Sequence, residues 1–289
     1  MLKPWKTRVL QANLVAQTLI VFTGALVRVT SSGLGCPTWP ECVPGSITPT
    51  SDQTEQWHKY VEFGNRLLTF VLVAVAIATI IAMRDQRKSL RLLSYGSMAG
   101  IFAQAILGGI SVLTNLNPLI VAAHFLLSIG LIAVAQVLLW RSRETTDEVA
   151  TLVVHPAIAH GVRVHTVLAL AIITVGTLVT GSGPHAGDSA DIERLPFDPR
   201  TISWFHADLV LLFIGLTIGL HIAMRATGAP DRAVKGTTGV LLASALQGLI
   251  GYSQYFLALP WGLVALHVLG SAILWIATLR LRMSIWTRP

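Results

Sequence analysis

Eight apolar stretches dominate this sequence, and each is long enough to cross the ~30 Å hydrocarbon core of a bilayer as a helix. They are separated by polar segments and are too long to be strands of a soluble sheet. The stretches lie at 9–29, 61–83, 92–113, 119–140, 164–182, 204–223, 237–257 and 261–281. The sequence therefore predicts an all-α integral membrane protein with eight transmembrane helices.

The charge content agrees with a membrane environment. Only 12% of the 289 residues are charged, whereas a typical soluble domain carries about 25%. So few charged groups leave too little polar surface to coat a water-soluble globule. In a membrane protein, the formal net charge of +7 indicates which side of the membrane the loops occupy. We expect membrane lipid around the chain and no nucleic-acid partner.

The basic residues are unequally divided between the two ends of the predicted helices. If the N-terminus lies in the cytoplasm, only five of the 21 Lys and Arg residues lie outside, which leaves 16 inside. These five are Arg28, Lys59, Arg66, Arg194 and Arg200. Because inner loops carry an excess of basic residues, the sequence predicts a multi-pass protein of the cell membrane with both termini cytoplasmic.

The two halves of the chain resemble each other. Gln104 and His124 are 20 residues apart, as are Gln247 and His267, and a glycine follows each glutamine after four residues. Repeats of four helices enter the membrane from the same side, which predicts two pseudosymmetric four-helix bundles related by an axis along the membrane normal. The predicted divisions are an N-terminal half at 1–140, a cytoplasmic linker at 141–163 and a C-terminal half at 164–289.

Three histidines lie inside apolar stretches, near the outer ends of their helices: His124, His206 and His267. Ionisable residues in the membrane are costly and are functional candidates by default. Imidazoles on facing helices hold haem iron from both sides, so His206 and His267 make a complete axial pair in the C-terminal half. The alternative is a structural role, in which each ring is simply hydrogen-bonded in the helix packing.

The N-terminal half lacks such a pair, because the counterpart of His206 is Asn65, a poor iron ligand. A haem bound there by His124 alone would keep an open coordination position where chemistry occurs. His58 lies two turns before Asn65 and substitutes for it only if the helix or the haem shifts. Glu62 shares a face with Asn65 and is a candidate general base, with pairing to Arg66 as its structural alternative.

The outer loops carry the remaining candidates. Cys36 and Cys42 are the only cysteines and both lie in the first outer loop, which predicts a disulfide. Whether this bond braces the loop or takes part in redox exchange is left open. Haem propionates are carboxylates, which cations on this side of the membrane would bind. We expect contacts to a haem substrate or its propionates from Arg28, Asn65, Arg66 and His185.

As a set, these motifs resemble the haem A synthases over essentially the whole chain. The resemblance rests on Gly33-Leu-Gly-Cys36-Pro-Thr-Trp-Pro40 with Cys42, on Glu62-x-x-Asn65-Arg66, on His124, His206 and His267, and on Gly181-Ser-Gly-Pro-His-Ala-Gly187. It implies an oxidoreductase that converts the C8 methyl of haem O into the formyl group of haem A by successive hydroxylations. Such an activity supports the assembly of terminal oxidases.

The resemblance also implies roles for the two halves. A haem b cofactor would be held by His206 and His267, and haem O would bind near His124 and Glu62 in the other half. Many members of the family carry histidine where this chain has Asn65, so the second axial ligand of the substrate haem is left open.

Two other functions are alternatives to this one. A b-type cytochrome that transfers electrons without a haem substrate would favour two complete axial pairs, and Asn65 counts against it. A transporter of parallel repeats would favour broken helices and a charged site at the midplane. The sequence identifies neither the electron acceptor nor the oxygen source. A haem O synthase is an expected partner, and a homo-oligomer is left open.

Overall fold

The computed structural model describes residues 2–188 and 192–288, and within them the chain is helical apart from a short two-stranded sheet. The helices are α1 Pro4–Val29, α2 His58–Met83, α3 Lys88–Leu113, α4 Pro118–Arg141, α5 Pro156–Ser182, α6 Pro199–Ala226, α7 Asp231–Phe256 and α8 Trp261–Ser284. All eight of these helices are long and apolar enough to cross a membrane. The predicted eight-helix fold is confirmed.

Several helices begin before the apolar stretch that predicted them. α5 begins at Pro156 and α7 at Asp231, whereas their apolar stretches begin at 164 and 237. The added turns are polar, and hydropathy marks only the part of a helix that lies in hydrocarbon. α5 therefore begins inside the segment that the sequence predicts as a linker. Proline starts α1, α4, α5 and α6, where its missing N–H is not needed.

Each half of the chain closes into a ring of four helices. In the N-terminal half, α2 packs between α1 and α3, and α4 packs between α3 and α1. In the C-terminal half, α6 packs between α5 and α7, and α8 packs between α7 and α5. The halves meet where α1 and α4 contact α8 and where α4 contacts α5. A two-fold axis that relates α1 to α5 and α4 to α8 generates this pairing, as the internal repeat predicts.

The surface and the core of this assembly are those of a membrane protein. Large apolar side chains such as Phe70 (72% exposed) and Leu242 (68% exposed) point outward, where lipid rather than water is their natural solvent. Between the halves, Trp275 on α8 donates a hydrogen bond from Nε1 to the carbonyl oxygen of Ile129 on α4 at 3.1 Å. This bond satisfies a buried indole N–H across the interface between the bundles.

At the end of the bundle where α4 ends and α5 begins, the two halves are joined by backbone pairing. Strand β1, Thr151–Leu152, pairs antiparallel with strand β2, Trp286–Thr287. Next to it, Arg288 forms an ion pair with Glu144 at 3.0 Å. The segment between the halves is thus attached to the chain that follows α8.

At the opposite end, Arg28 joins α1 to the loop after α5. Its Nε donates to the carbonyl oxygen of His185 at 2.8 Å, and its Nη2 donates to that of Thr180 at 3.1 Å. The backbone N–H of Gly33 donates to the carbonyl oxygen of Gly187 at 2.7 Å. A Cβ atom at Gly33 would lie 2.8 Å from that oxygen, so this close approach requires glycine. The loops of the two halves are therefore held against each other.

We expect Arg28→Leu to lower the stability of the haem-free protein by about 2–3 kcal/mol, because hydrogen bonds from charged donors contribute roughly 1.5–3 kcal/mol. Thermal unfolding in detergent measures the effect. Arg200→Leu removes an exposed arginine at the start of α6 and is the matched control. If both variants melt at the temperature of the parent protein, the Arg28 contacts do not hold the halves together.

Candidate functional site

His206 and His267 lie at matched depths in the C-terminal half. His206 is seven residues after the first residue of α6, and His267 is six after the first residue of α8. At 1.5 Å per residue, both lie about 10 Å from the same end of the bundle. The two imidazoles thus meet the positional requirement for an axial pair.

Each ring in this half rests against a glycine of a neighbouring helix. A Cβ atom at Gly176 on α5 would lie 3.3 Å from Cε1 of His206, and a Cβ atom at Gly251 on α7 would lie 3.3 Å from Cε1 of His267. Such contacts are closer than ordinary van der Waals packing. Glycine therefore lets the neighbouring helices approach the rings without displacing them, as small residues commonly do in membrane bundles.

A glutamine on the preceding helix holds the backbone at the histidine. Gln104 donates from Nε2 to the carbonyl oxygen of His124 at 3.1 Å, and Gln247 donates from Nε2 to the carbonyl oxygen of His267 at 3.0 Å. The same hydrogen bond is thus made in each half, and it accounts for the spacing of 20 residues. The sequence revealed this spacing but not the hydrogen bond that explains it.

In the N-terminal half, His124 is six residues after the first residue of α4, which is the position of His267 in α8. A Cβ atom at Gly108 would lie 3.1 Å from Cε1 of His124, so the glycine contact is repeated as well. Asn65 is seven residues after the first residue of α2, as His206 is in α6. Its side chain accepts a hydrogen bond from Thr23 on α1.

The donor atoms fit haem iron. Among the described residues, the buried Nδ1 atoms of His124, His206 and His267 have no hydrogen-bond partner. Buried polar groups are normally satisfied, so an unpaired group calls for an explanation. No side-chain hydrogen bond of the described residues engages Nε2 of these three rings, which leaves that nitrogen as the atom that could bind iron. Two of these histidines lie in one bundle and one lies in the other, so the two halves would offer iron different numbers of imidazole ligands.

Glu62 is 5% exposed and both of its carboxylate oxygens are engaged. Oε2 accepts a hydrogen bond from the backbone N–H of Cys36 at 2.6 Å, and Oε1 accepts one from Nη2 of Arg66 at 2.6 Å. The pairing with Arg66 that the sequence left open is therefore present. His58, the alternative ligand, contacts Ser32 through Nδ1 at 2.9 Å.

The loop between α1 and α2, which the sequence predicts to be the first outer loop, lies over the N-terminal half. Cys36 and Cys42 form a disulfide, as predicted, and both residues are fully buried. Arg66 donates from Nη2 to the carbonyl oxygen of Cys36 at 2.7 Å. The indole of Trp39 lies directly against Gly109 on α3, one residue from the glycine that faces His124. The loop thus covers the end of the bundle where His124 lies.

The other predicted contact residues are part of the junction between the halves. Arg28 donates to the carbonyl oxygens of Thr180 and His185. The ring of His185 contacts the carbonyl oxygen of Leu259 through Nε2 at 3.0 Å. These side chains lie at the end of the bundle that carries the histidines. Their contact with haem propionates stays a prediction.

The fold and these side chains define a class: a multi-pass membrane protein of two pseudosymmetric four-helix bundles, with inward-facing imidazoles near one face. The sequence profile of the cytochrome oxidase assembly protein family matches residues 7–279. The chain belongs to this family, and its predicted resemblance to the haem A synthases is confirmed.

Three relatives, each named heme A synthase, illustrate the similarity. The chain is 36% identical to the protein of Geobacillus thermodenitrificans over 137 residues, which are 46% of this chain and 41% of that protein. It is 36% identical to the protein of Geobacillus kaustophilus over 110 residues, 37% of this chain and 33% of that protein. It is 35% identical to the protein of Lysinibacillus sphaericus over 113 residues, 38% of this chain and 36% of that protein. The matched part of the chain spans less than half the length of each relative.

We expect Glu62→Gln to expose the disulfide. An amide cannot neutralise Arg66, and breaking a buried ion pair typically costs about 3–5 kcal/mol, so the loop should open more often. A water-soluble phosphine should then reduce the bond about tenfold faster or more, as measured by thiol labelling. Glu55→Gln makes the same change in the loop itself, at a carboxylate outside this ion pair, and is the control. Equal rates in both variants would show that Glu62 does not hold the loop.

Proposed function

We propose that this chain is a haem A synthase, an oxidoreductase that converts the C8 methyl of haem O into a formyl group by successive hydroxylations and so supports terminal oxidase assembly. Membership of the cytochrome oxidase assembly family and the names of the relatives support this proposal. The observation that carries it is the inequality of the two bundles. His206 and His267 make a pair, whereas His124 has Asn65 as its counterpart. An electron-transfer cytochrome without a haem substrate would not require a half that offers a single histidine ligand.

In the C-terminal half, His206 and His267 would hold a haem b as its two axial ligands. Such a group, when bound, carries single electrons. The protein keeps both rings in place through the contacts with Gly176 and Gly251 and through the Gln247 hydrogen bond. Two fixed imidazoles leave no open coordination position, so this half is suited to electron transfer rather than to binding a reactant.

In the N-terminal half, His124 would hold haem O from one side. Arg28, Arg66 and His185 lie at the same end of the bundle and would bind its propionates. Glu62 is the proposed proton acceptor, and its ion pair with Arg66 places the carboxylate beneath the first outer loop. The loop would keep water from the reacting methyl group.

The reaction also requires partners. Turning a methyl into a formyl group oxidises that carbon, so an electron acceptor must take the electrons away. The haem O substrate is itself the product of a haem O synthase, which makes that enzyme a natural neighbour. We further propose a cell-membrane location with both termini cytoplasmic, which puts the two haem sites near the outer face.

Haem chromatography tests the activity and the role of His124. We expect cells that make haem O and express this chain to accumulate haem A, and we expect His124→Ala to reduce that yield about tenfold or more, because an axial ligand is lost. His221→Ala removes a histidine that contacts Thr237 and is the control. Extraction of haem B alone from the parent protein would favour the b-type cytochrome instead. Haem A made equally well by His124→Ala would remove this residue from the site.

The cofactor half is tested separately. We expect His267→Ala to lose the low-spin absorption bands of a bis-histidine haem, since one imidazole cannot replace two, while the protein keeps a five-coordinate haem in the other half. The optical and paramagnetic resonance spectra of the purified protein measure this. His221→Ala should retain the low-spin signal. A low-spin signal that survives in His267→Ala contradicts the assignment of the axial pair.

A further inference from the structure

Asn65 differs from its symmetric counterpart together with a neighbour on the adjacent helix. Asn65 and His206 occupy the same position in α2 and α6. On the helix packed against each, the residue before the repeated glycine is Thr23 in α1 and Val175 in α5. A polar pair in one half thus replaces an imidazole beside an apolar residue in the other. The two changes make one new interaction.

That interaction orients the amide of Asn65. Oγ1 of Thr23 lies 2.8 Å from Oδ1 of Asn65 and 3.1 Å from the carbonyl oxygen of Ile20. A hydroxyl has a single proton to donate, and the shorter contact is the one to Asn65. The oxygen of the amide is therefore held toward α1. Its nitrogen, Nδ2, makes no hydrogen bond within residues 2–188 and 192–288.

The amide also leaves room that the imidazole fills in the other half. A Cβ atom at Gly176 would lie 3.3 Å from the ring of His206, whereas a Cβ atom at Gly24 would meet nothing within 4 Å. Because the position of Gly24 corresponds to that of Gly176, the site of the missing ring is open. An N–H donor without a hydrogen-bond partner among the described residues thus belongs to a side chain next to open space.

We propose that Nδ2 of Asn65 donates a hydrogen bond to a small ligand, of the size of a diatomic gas or hydroxide, on the side of the substrate haem opposite His124. Asn65 contacts that ligand, and Thr23 is a positioning residue that keeps the nitrogen turned toward it. The proposal rests on the proposed function, because it requires a haem in the N-terminal half. Donors on the open side of a haem decide how bound oxygen species are held and used.

Carbon monoxide is the probe that reads this hydrogen bond directly. It binds only reduced haem with an open side, so the bis-histidine half does not contribute. An N–H donor near the bound gas lowers its C–O stretching frequency, whereas a carbonyl lone pair raises it. The full-length, haem-loaded protein is reduced under carbon monoxide, and the stretching band is recorded by infrared spectroscopy.

We expect Asn65→Leu, which keeps the size and removes the donor, to shift this band to higher frequency. Thr23→Val should broaden or split the band, because the amide loses its anchor and turns. Val175→Thr makes the reverse change in the other half and should leave the band unchanged. Haem A formation should fall about fivefold in Asn65→Leu, the ratio that corresponds to one hydrogen bond of ~1 kcal/mol.

The possible results distinguish the role of Asn65 from the proposed synthase activity. An unshifted band in Asn65→Leu overturns the role of Asn65 even where haem A is still produced. A band that moves to lower frequency in Asn65→Leu means that the amide presents its oxygen, which also overturns it. A shifted band without haem A production supports the hydrogen bond and refutes the synthase activity. A parent protein that shows a high-spin haem but binds no carbon monoxide overturns the role of Asn65, whereas the synthase activity is decided by haem chromatography.

Discussion

The packing inside each four-helix bundle is organised around its imidazole side chains. In a bilayer, no water is at hand to satisfy a ring nitrogen that the protein leaves unpaired. The helices nevertheless pack glycines against His206 and His267, and at His267 the glutamine hydrogen bond goes to the backbone and not to the ring. This packing restricts the position of each ring while Nε2 forms no side-chain hydrogen bond among the described residues. Such a pattern suits a ligand that arrives from outside the chain.

The internal repeat explains the regularity of this arrangement and makes the difference at Asn65 easy to locate. The contact from Gln104 to the backbone of His124 is repeated in the second half with nearly the same length. Because this packing is preserved, the presence of Asn65 in place of a histidine does not reflect a general loss of packing in the first bundle. The first half keeps the glycine, the glutamine and one histidine, and it has Asn65 and Thr23 where the second half has His206 and Val175. The difference is therefore local to one side of the site.

The parts of the structure that the sequence predicted are those set by a single helix or by its spacing. Bilayer thickness determines the length of a span, so all eight helices followed from apolarity, although their polar ends did not. Contacts between different elements could not be predicted from the sequence. The hydrogen bond from Thr23 to Asn65 depends on how α1 and α2 are rotated against each other. The bond from the N–H of Cys36 to Glu62 depends on the path of a loop. Neither leaves a periodic signal in the sequence.

The engagement of Glu62 changes what a carboxylate at this position can do. A free general base would need an unoccupied lone pair directed at the reactant, whereas here one oxygen accepts from the backbone of Cys36 and the other from Arg66. Each carboxylate oxygen carries a second lone pair, so Glu62 could accept a proton while both donors stay in place. Protonation would remove the charge that attracts Arg66. Because both donors belong to the attachment of the loop between α1 and α2, the charge of Glu62 and the stability of that loop are linked.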